Sequence, residues 1–308
     1  MSSISIITVN FFQPQATIEL LNSLYQHYAI ANIEIILVDN GSPIDNELYF
    51  KRDYQNIKYI RSEKNLGFAG GNNLGIAHAT GEYLFLINND TEVTPGLIET
   101  LADTLNKNKH IGIISPQINY FDDKKIIQYA GFTPMDYYTC RNACIGQFET
   151  DDGQYNNKIV QTGFIHGAAM MVRREALEKA GPMAENFFLY YEEMDWCERI
   201  KDAGYEIWIN TNGLIYHKES LSVGKNSALK EFFMNRNRIL FIRRNAKLHQ
   251  RIVFYIYFML LVVPRNMLKY LASGTAGFIK VLWSAIFWNM TNNINSRNLG
   301  FRLKQQWK

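Results

Sequence analysis

The sequence is poor in cysteine: Cys140, Cys144 and Cys197 are the three in 308 residues, with no C-x-x-C among them. That excludes a disulfide framework and fits a reducing, cytoplasmic setting. A basic leader is also missing, so MSSISIITVN reads as a first strand and not as a signal peptide. Long apolar runs are absent. IVFYIYFMLLVVP (252–264) and AGFIKVLWSAIFW (276–288, which carries Lys280) both fall short of the ~20 residues a spanning helix needs. The glycine-rich stretch EKNLGFAGGNNLGIA holds neither G-x-G-x-x-G nor G-K-[ST], which excludes a dinucleotide fingerprint and a P-loop. There is no internal repeat. Acid is lacking at one end: from Lys230 onward there are fourteen Lys/Arg against one acidic residue, Glu231. Eighteen basic and twenty-eight acidic groups precede Lys230, so the overall charge of +3 divides into −10 and +13. Such a split points to a basic arm with anionic partners.

What is present is apolar: 47% of the chain, enough to bury a large core in one domain with a C-terminal extension. ISIITV (4–9), IEIILVDNGS (33–42), NIKYIRS (56–62) and YLFLI (83–87) are near-continuous apolar strands. Helical spacing in ATIELLNSLYQHY (16–28) and an Asn-capped NNLGIAHA (72–79) alternate with them. The alternation predicts a parallel α/β sheet. Ligands of such sheets sit beyond the carboxyl ends of the strands. Thr8-Val9-Asn10, Asp39-Asn40-Gly41-Ser42 and Asn88-Asn89-Asp90 all fall there. Each alone reads as a cap or turn; together they read as one rim. Residues 130–162 are irregular. HGAAMMVRREALEKAG (166–181) runs from small apolar residues into a short helix ending at Gly181. YYEEMDWCERIKDAG (190–204) is a helix with Gly204 as its cap.

Several residues could carry chemistry. Asp90 can offer a hard oxygen ligand to a divalent cation, which would also need phosphate oxygens because Asn88 and Asn89 are neutral. His217 follows an apolar strand and is the second candidate ligand, although a lone histidine is usually structural. The glycines of the 63–77 stretch allow a nucleotide to approach the backbone, or merely allow a turn into a helix. Glu192, Glu193 and Asp195 crowd a helix start. Capping explains one of them. Repulsion and partial burial beside Phe188, Tyr190 and Trp196 would raise at least one pKa, which suits a general base.

In order and spacing, the chain resembles family 2 glycosyltransferases of the GT-A fold, close to the bacterial rhamnosyltransferases. The segments that carry the resemblance are SIITVNFF, IILVDNGS, NLGFAGGNNLGI, LFLINNDT, HGAAMMVRREAL, FFLYYEEMDWCERIKDAGYEIW, IYHKESLSVG and NRNRILFIRR. The resemblance implies a GT-A-type, Rossmann-like, mostly parallel sheet flanked by helices, with a C-terminal helical extension. It implies a catalytic domain over 1–228, with a nucleotide-sugar half (1–115) and an acceptor half (116–228), then a basic extension over 229–308. Thr8, Asn10 and Asp39 correspond to the nucleoside pocket. Asn65, Gly67 and Phe68 match the loop shaping it, and Asn89 stands beside the metal carboxylate. Asp90 matches the last carboxylate of the D-x-D motif, Asn88 replacing its first Asp, and His217 the late ligand to Mg2+ or Mn2+. Glu193 takes the place of the catalytic base, with Asp195 as rival and Glu192 as support. Arg236 and Arg238 are expected at donor phosphates or an anionic acceptor.

The implied reaction is inverting, metal-dependent transfer of a hexose. The donor is a nucleoside-diphosphate sugar, dTDP-rhamnose favoured and a UDP-sugar as alternative. The acceptor is a hydroxyl of a lipid-linked or polysaccharide intermediate in bacterial surface glycan biosynthesis such as O-antigen. A non-catalytic nucleotide-sugar or glycan-binding module is the second reading, motivated by Asn88 and Glu193. A nucleotidyltransferase is the third, and the missing basic Gly-rich loop near the first strand counts against it. The two short apolar runs, with Arg243, Arg244, Lys247, Arg251, Arg265, Lys269, Trp283 and Trp288, fit a helix pair on an anionic membrane surface at the inner face of the cell membrane. A helical cap packed on the catalytic domain is the alternative. Nucleic acid is excluded, since it gives the apolar runs no purpose.

Overall fold

A computed structural model defines the fold for residues 3–29, 33–218 and 227–303. The sheet is built from β1 (Ile4–Asn10), β2 (Ile33–Asn40), β3 (Ile57–Ser62), β4 (Tyr83–Ile87), β5 (Thr91–Val93), β6 (Ile111–Tyr120), β7 (Ile127–Tyr129), β8 (Ile159–Gln161), β9 (Ala169–Arg173) and β10 (Glu206–His217). Its order is β3-β2-β1-β4-β9-β6-β10-β5, with β7 on β6 and β8 on β10. The pairs β1/β2, β2/β3, β1/β4 and β6/β10 are parallel. β9 is antiparallel to both β4 and β6, which makes the sheet mixed.

β9 is AMMVR, a stretch whose sequence predicts only an approach to a helix. A five-residue apolar run carries no period to separate strand from helix, and tertiary pairing settles it. The helix that follows, α5, does end where Gly181 adopts φ 76°.

Alternate strand residues feed two cores, which is why the strands read as continuous apolar runs. Ile6, Ile35, Leu37, Tyr83 and Phe85 pack against α1 (Pro14–His27) and α4 (Leu97–Lys107). Ile7, Ile36, Val38, Leu84 and Leu86 face the opposite core, with α3 (Gly67–His78), α5 (Arg174–Ala180), α6 (Glu192–Asp202) and α7 (Ala228–Asn245). A short α2 (Glu47–Lys51) buries Phe50 on the first side. α3 starts five residues before the expected Asn72. Its true entry is Gly67 at φ 73°, whose N–H is accepted by Asn65 Oδ1 at 2.8 Å. Gly75 lets the helix sit on β1, where a Cβ would stand 2.4 Å from Ile7 Cγ2. That glycine therefore approaches protein, not nucleotide.

The C-terminal chain is more helical than its short apolar runs indicated. α8 (Leu248–Tyr257), a π turn (Phe258–Val262) and α9 (Val263–Ala272) form one 25-residue helix, with mean hydropathy 1.5 over its most apolar 18 residues. The π turn just before Pro264 absorbs the proline's missing N–H and ring clash, so the helix continues. By length and composition alone this helix suffices to cross a membrane, which corrects the expectation of segments too short to do so. α10 (Phe278–Thr291) returns against α7. α7 buries Phe232, Phe233, Leu240 and Phe241, so the C-terminal helices are seated on the sheet-bearing part of the chain and not hung from it. The outer face of α8–α10 is apolar and exposed, with Leu260 at 68% and Phe287 at 64%.

Candidate active site

The strand register assembles the rim. Asn10 lies beside Asp39 and Asn40 beside Ser62 at the carboxyl ends of β1–β3. Asp39 is fully buried. Its Oδ1 accepts from Asn10 Nδ2 at 2.9 Å and from the Ser42 hydroxyl; its Oδ2 accepts from Tyr59 OH at 2.8 Å and Asn46 Nδ2 at 3.3 Å. All four acceptor positions are taken by protein, so a ligand donor gains Asp39 only by displacing one, of which the Asn46 contact is the longest. The network continues inward. Thr17 Oγ1 donates to Asn10 Oδ1 at 3.1 Å, and Asn89 Nδ2 donates to Thr17 Oγ1 at 2.9 Å. Asn89 therefore ties the β4 tip to α1. Thr8 is fully buried in β1 and its hydroxyl meets no hydrogen-bond partner among the described residues, so it offers a ligand no accessible surface.

Asn40 fixes the next loop: its Nδ2 donates to Gly67 O at 3.1 Å and its Oδ1 accepts from Leu66 N at 2.9 Å. Asn65 and Phe68 are half-buried at the edge of this loop. Phe68 N donates to Phe188 O at 2.7 Å, and a Cβ on Gly67 would fall 2.2 Å from that same oxygen. The 65–68 loop is thus docked on the segment leading into α6.

Asp90 and His217 converge. β10 pairs His217 with Thr91, and Lys218 N donates to Asp90 O at 3.0 Å. Asp90 Oδ1 stands 3.2 Å from His217 Nε2. On the other side of the ring, His217 Nδ1 lies 2.8 Å from Gln128 Oε1, an acceptor, so Nδ1 carries the proton. That leaves the Nε2 lone pair facing a carboxylate oxygen, an arrangement that needs a proton or a cation between them. A nitrogen and an oxygen ligand so presented, with the outer ring nitrogen held, fit a divalent ion that completes its shell with phosphate oxygens. No third Asp, Glu, His or Cys joins them among the described residues. Gln128 gave no signal in the sequence, because its contact spans 89 positions. His166 is a second residue missed. Its ring centroid lies 5.9 Å from that of His217, and its Nδ1 accepts from Ala168 N at 3.1 Å. Burial, then the neighbouring His217, push its pKa down to about 3.

Gly167 joins this pair to the acidic helix start. A Cβ there would lie 3.6 Å from Phe68 Cζ and 4.0 Å from Glu193 Cγ. Gly167 thus stands beside Glu193 and Phe68, next in the chain to His166 of the His166–His217–Asp90 row. Burial raises the Glu193 carboxyl to about 7, against hydrogen bonds from its own and the Met194 amides. Glu192 is buried, and burial followed by the Glu193 charge pushes it well above the carboxylate range.

Asp195 does a different job from the one expected as a rival base. It is fully buried, with Oδ1 2.7 Å from Arg244 Nε and Oδ2 3.0 Å from Arg199 Nε, and Asn245 Nδ2 adds a third donor at 3.1 Å. A carboxylate saturated by two guanidinium groups ties α6 to α7 and accepts no proton from a ligand. Arg236 and Arg238 are likewise corrected as phosphate contacts. Arg236 is buried, donates to Leu299 O and Asn186 O, and is drawn down to about 9 by that burial. Arg238 donates to Thr139 O at 2.5 Å and lies over the Phe254 and Phe258 rings. Of the segment IYHKESLSVG, residues 219–224 lie outside the described residues.

The segment before α6 is strained. Phe188, Tyr190 and Tyr191 have φ of 66°, 71° and 73°, a region that costs a residue with a Cβ about 1–3 kcal/mol.

Residues 4–181 match the family described as Glycosyl transferase family 2. The chain is 29% identical over 205 residues to the low-salt glycan biosynthesis hexosyltransferase Agl10 of Haloferax volcanii, a match covering 65% of this chain and 62% of that protein. It is 23% identical over 216 residues to an N-acetylglucosaminyl-diphospho-decaprenol L-rhamnosyltransferase of Mycobacterium tuberculosis, covering 64% and 70%. Among solved structures, the mannosyltransferase PcManGT of Pyrobaculum calidifontis, in complex with GDP-Man and Mn2+, superposes with a TM-score of 0.56 at 13% identity over 94% of this chain and 87% of that one.

Proposed function

This chain belongs to glycosyl transferase family 2, and on that premise we propose that it transfers a hexose, rhamnose or a close relative, from a nucleoside-diphosphate sugar to a hydroxyl of a lipid-linked or polysaccharide acceptor. The observation that carries the reading is the turn at His166–Gly167. His166 packs beside His217 and Gly167 stands near Glu193 and Phe68, which supports a single site formed by the proposed cation-binding pair, the raised carboxyl and the donor loop.

Glu193 acts as general base. A carboxyl raised to about 7 is largely ionised only above neutrality, and it is then basic enough to take the acceptor's proton. The freed oxygen attacks the anomeric carbon as the bond to the diphosphate breaks. One displacement inverts that carbon and needs one essential carboxylate, where hydrolysis of a glycoside needs two. Asp90 and His217 would hold Mg2+ or Mn2+, and that ion, when bound, neutralises charge developing on the leaving diphosphate. Asn40, Asn65 and the Gly67–Phe68 amides keep the donor loop in place. Thr17 and Asn10 hold Asp39 in the nucleoside pocket.

The half of the chain over 1–115 carries the donor contacts in this scheme, and 116–228 supplies Gln128, His166, Glu193 and His217. The apolar outer face of α8–α10, with Arg251, Arg265, Lys269 and Lys280 and no acid after Glu231, supports peripheral seating on an anionic bilayer at the cytoplasmic face, where a lipid-linked acceptor is reached. The Mycobacterium relative's decaprenol-linked acceptor supports the same choice.

The test is a panel of dTDP-, UDP- and GDP-sugars with Mg2+ or Mn2+ and a polyprenyl-diphosphate-sugar acceptor, followed by NMR of the anomeric proton. An inverted product from one donor class is expected. A retained configuration contradicts the single displacement. The lack of both transfer and donor hydrolysis across the panel contradicts the enzymatic reading and leaves the binding module.

A further inference from the structure

Resting on that reading of Glu193, we propose that Asn237 of α7 is a positioning residue: it clamps the strained segment 187–191 and so sets the base and the donor loop at their working separation. Three observations meet at this one side chain. First, Asn237 is fully buried, and its Nδ2 lies 2.9 Å from Phe187 O, 2.8 Å from Leu189 O and 2.8 Å from Tyr190 O. A single amide group therefore faces three main-chain carbonyls of one short segment. Second, that segment is the strained one, with Phe188, Tyr190 and Tyr191 all at positive φ. Such a conformation persists only where its surroundings over-determine it. Third, the segment joins the two halves of the cleft: Phe188 O holds Phe68 N at 2.7 Å, and three residues on, Tyr191 leads directly into Glu192 and Glu193.

The clamp comes from outside the segment that matches the family, which ends at residue 181. It lies on the first helix of the extension. Arg236, next to it, braces the same region by donating to Asn186 O. α7 is thus part of the catalytic unit and not a tether to the remaining helices. The alternative is that Asn237 is one more satisfied core amide, and Asn235 supplies the comparison. It is also buried on α7, but its hydrogen bonds go to Glu231 and Asn266, and among the described residues none reaches 187–191.

The experiment compares Asn237→Leu and Asn235→Leu with wild type in the full chain, by amide hydrogen exchange and by steady-state kinetics with the metal and the donor that the panel identifies. Asn237→Leu is expected to speed exchange in the peptide spanning 187–194 by at least about tenfold, with sheet peptides unchanged. It should lower kcat by about ten- to a hundredfold, the cost of misplacing a reacting group by an ångström or less. Donor KM should stay within about threefold, since Asn40 and Asn65 still hold the donor loop. Asn235→Leu should match wild type in both readouts. Unchanged exchange at 187–194, faster exchange spread evenly over the molecule, or an undiminished kcat overturns the proposal. If Asn237→Leu does not fold, Asn237→Ser, which keeps one donor in a smaller side chain, is judged by the same criteria. Full activity in Glu193→Gln sinks the base assignment alone, because the exchange result still decides whether Asn237 holds the segment.

Discussion

At the scale of single residues, the proposed mechanism turns on protonation states that the fold imposes. Glu193 has its pKa raised to about 7 by burial. A base is active when deprotonated, so kcat/KM should rise from pH 6 to pH 8 with a limb near 7, and an ordinary carboxylate limb near 4.5 in a pH–rate profile would refute the assignment. The same shift costs stability. A carboxyl whose folded pKa lies above its unfolded value binds more protons folded than unfolded between about 4.5 and 7, so its contribution falls as pH rises through that window. Gln128 acts on His217 through the ring's outer nitrogen. Gln128→Leu should weaken Mn2+ affinity about 10–100-fold, the usual cost of losing such a partner. Titration of Mn2+ with a nucleoside diphosphate checks this, and wild-type affinity would contradict it.

At the scale of elements, the pairing of α6 with α7 carries both strength and geometry. Asp195 bridges Arg199 and Arg244 inside the protein. Removing the carboxylate leaves two guanidinium groups uncompensated, and Asp195→Ala should lose about 3–5 kcal/mol in urea unfolding. A loss under about 1 kcal/mol would show the pair to be unimportant. In sequence Asp195 reads as a rival base because it shares a helix start with Glu192 and Glu193; Arg199 lies four residues on, but the second partner, Arg244, stands 49 positions away. For the same reason Arg236 and Arg238 read as phosphate contacts: an NRNR run displays its charge but not its burial. The strands were legible because two-sided burial writes itself as unbroken Val, Ile and Leu. β9 was not, since the short run AMMVR obtains its strand character from β4 and β6. α3 was placed late because its start depends on Gly67 at positive φ against Phe188, which no local pattern records.

At the scale of the molecule, charge and apolarity are segregated. The body carries −10 before Lys230 and the remainder +13, and the exposed apolar face belongs to the positive part. Flotation with vesicles containing anionic lipid should recover the protein at low salt, and recovery should fall as ionic strength shortens the Debye length from about 30 Å at 0.01 M to about 8 Å at 0.15 M. Equal recovery on neutral vesicles would assign binding to the apolar face alone; no recovery on either would return the helices to a packed cap. The rim was legible at the strand tips, where Asn10 pairs with Asp39 at the carboxyl ends of β1 and β2 and Asp90 follows the end of β4. What sequence could not supply was the turn at His166–Gly167 that brings Glu193 to them. The most direct measurement of that convergence is Glu193→Gln beside wild type, by donor titration with Mn2+ and by product formation at saturating donor. The account predicts donor affinity within about threefold of wild type and product formation reduced at least about a hundredfold. Substantial turnover by Glu193→Gln would contradict it.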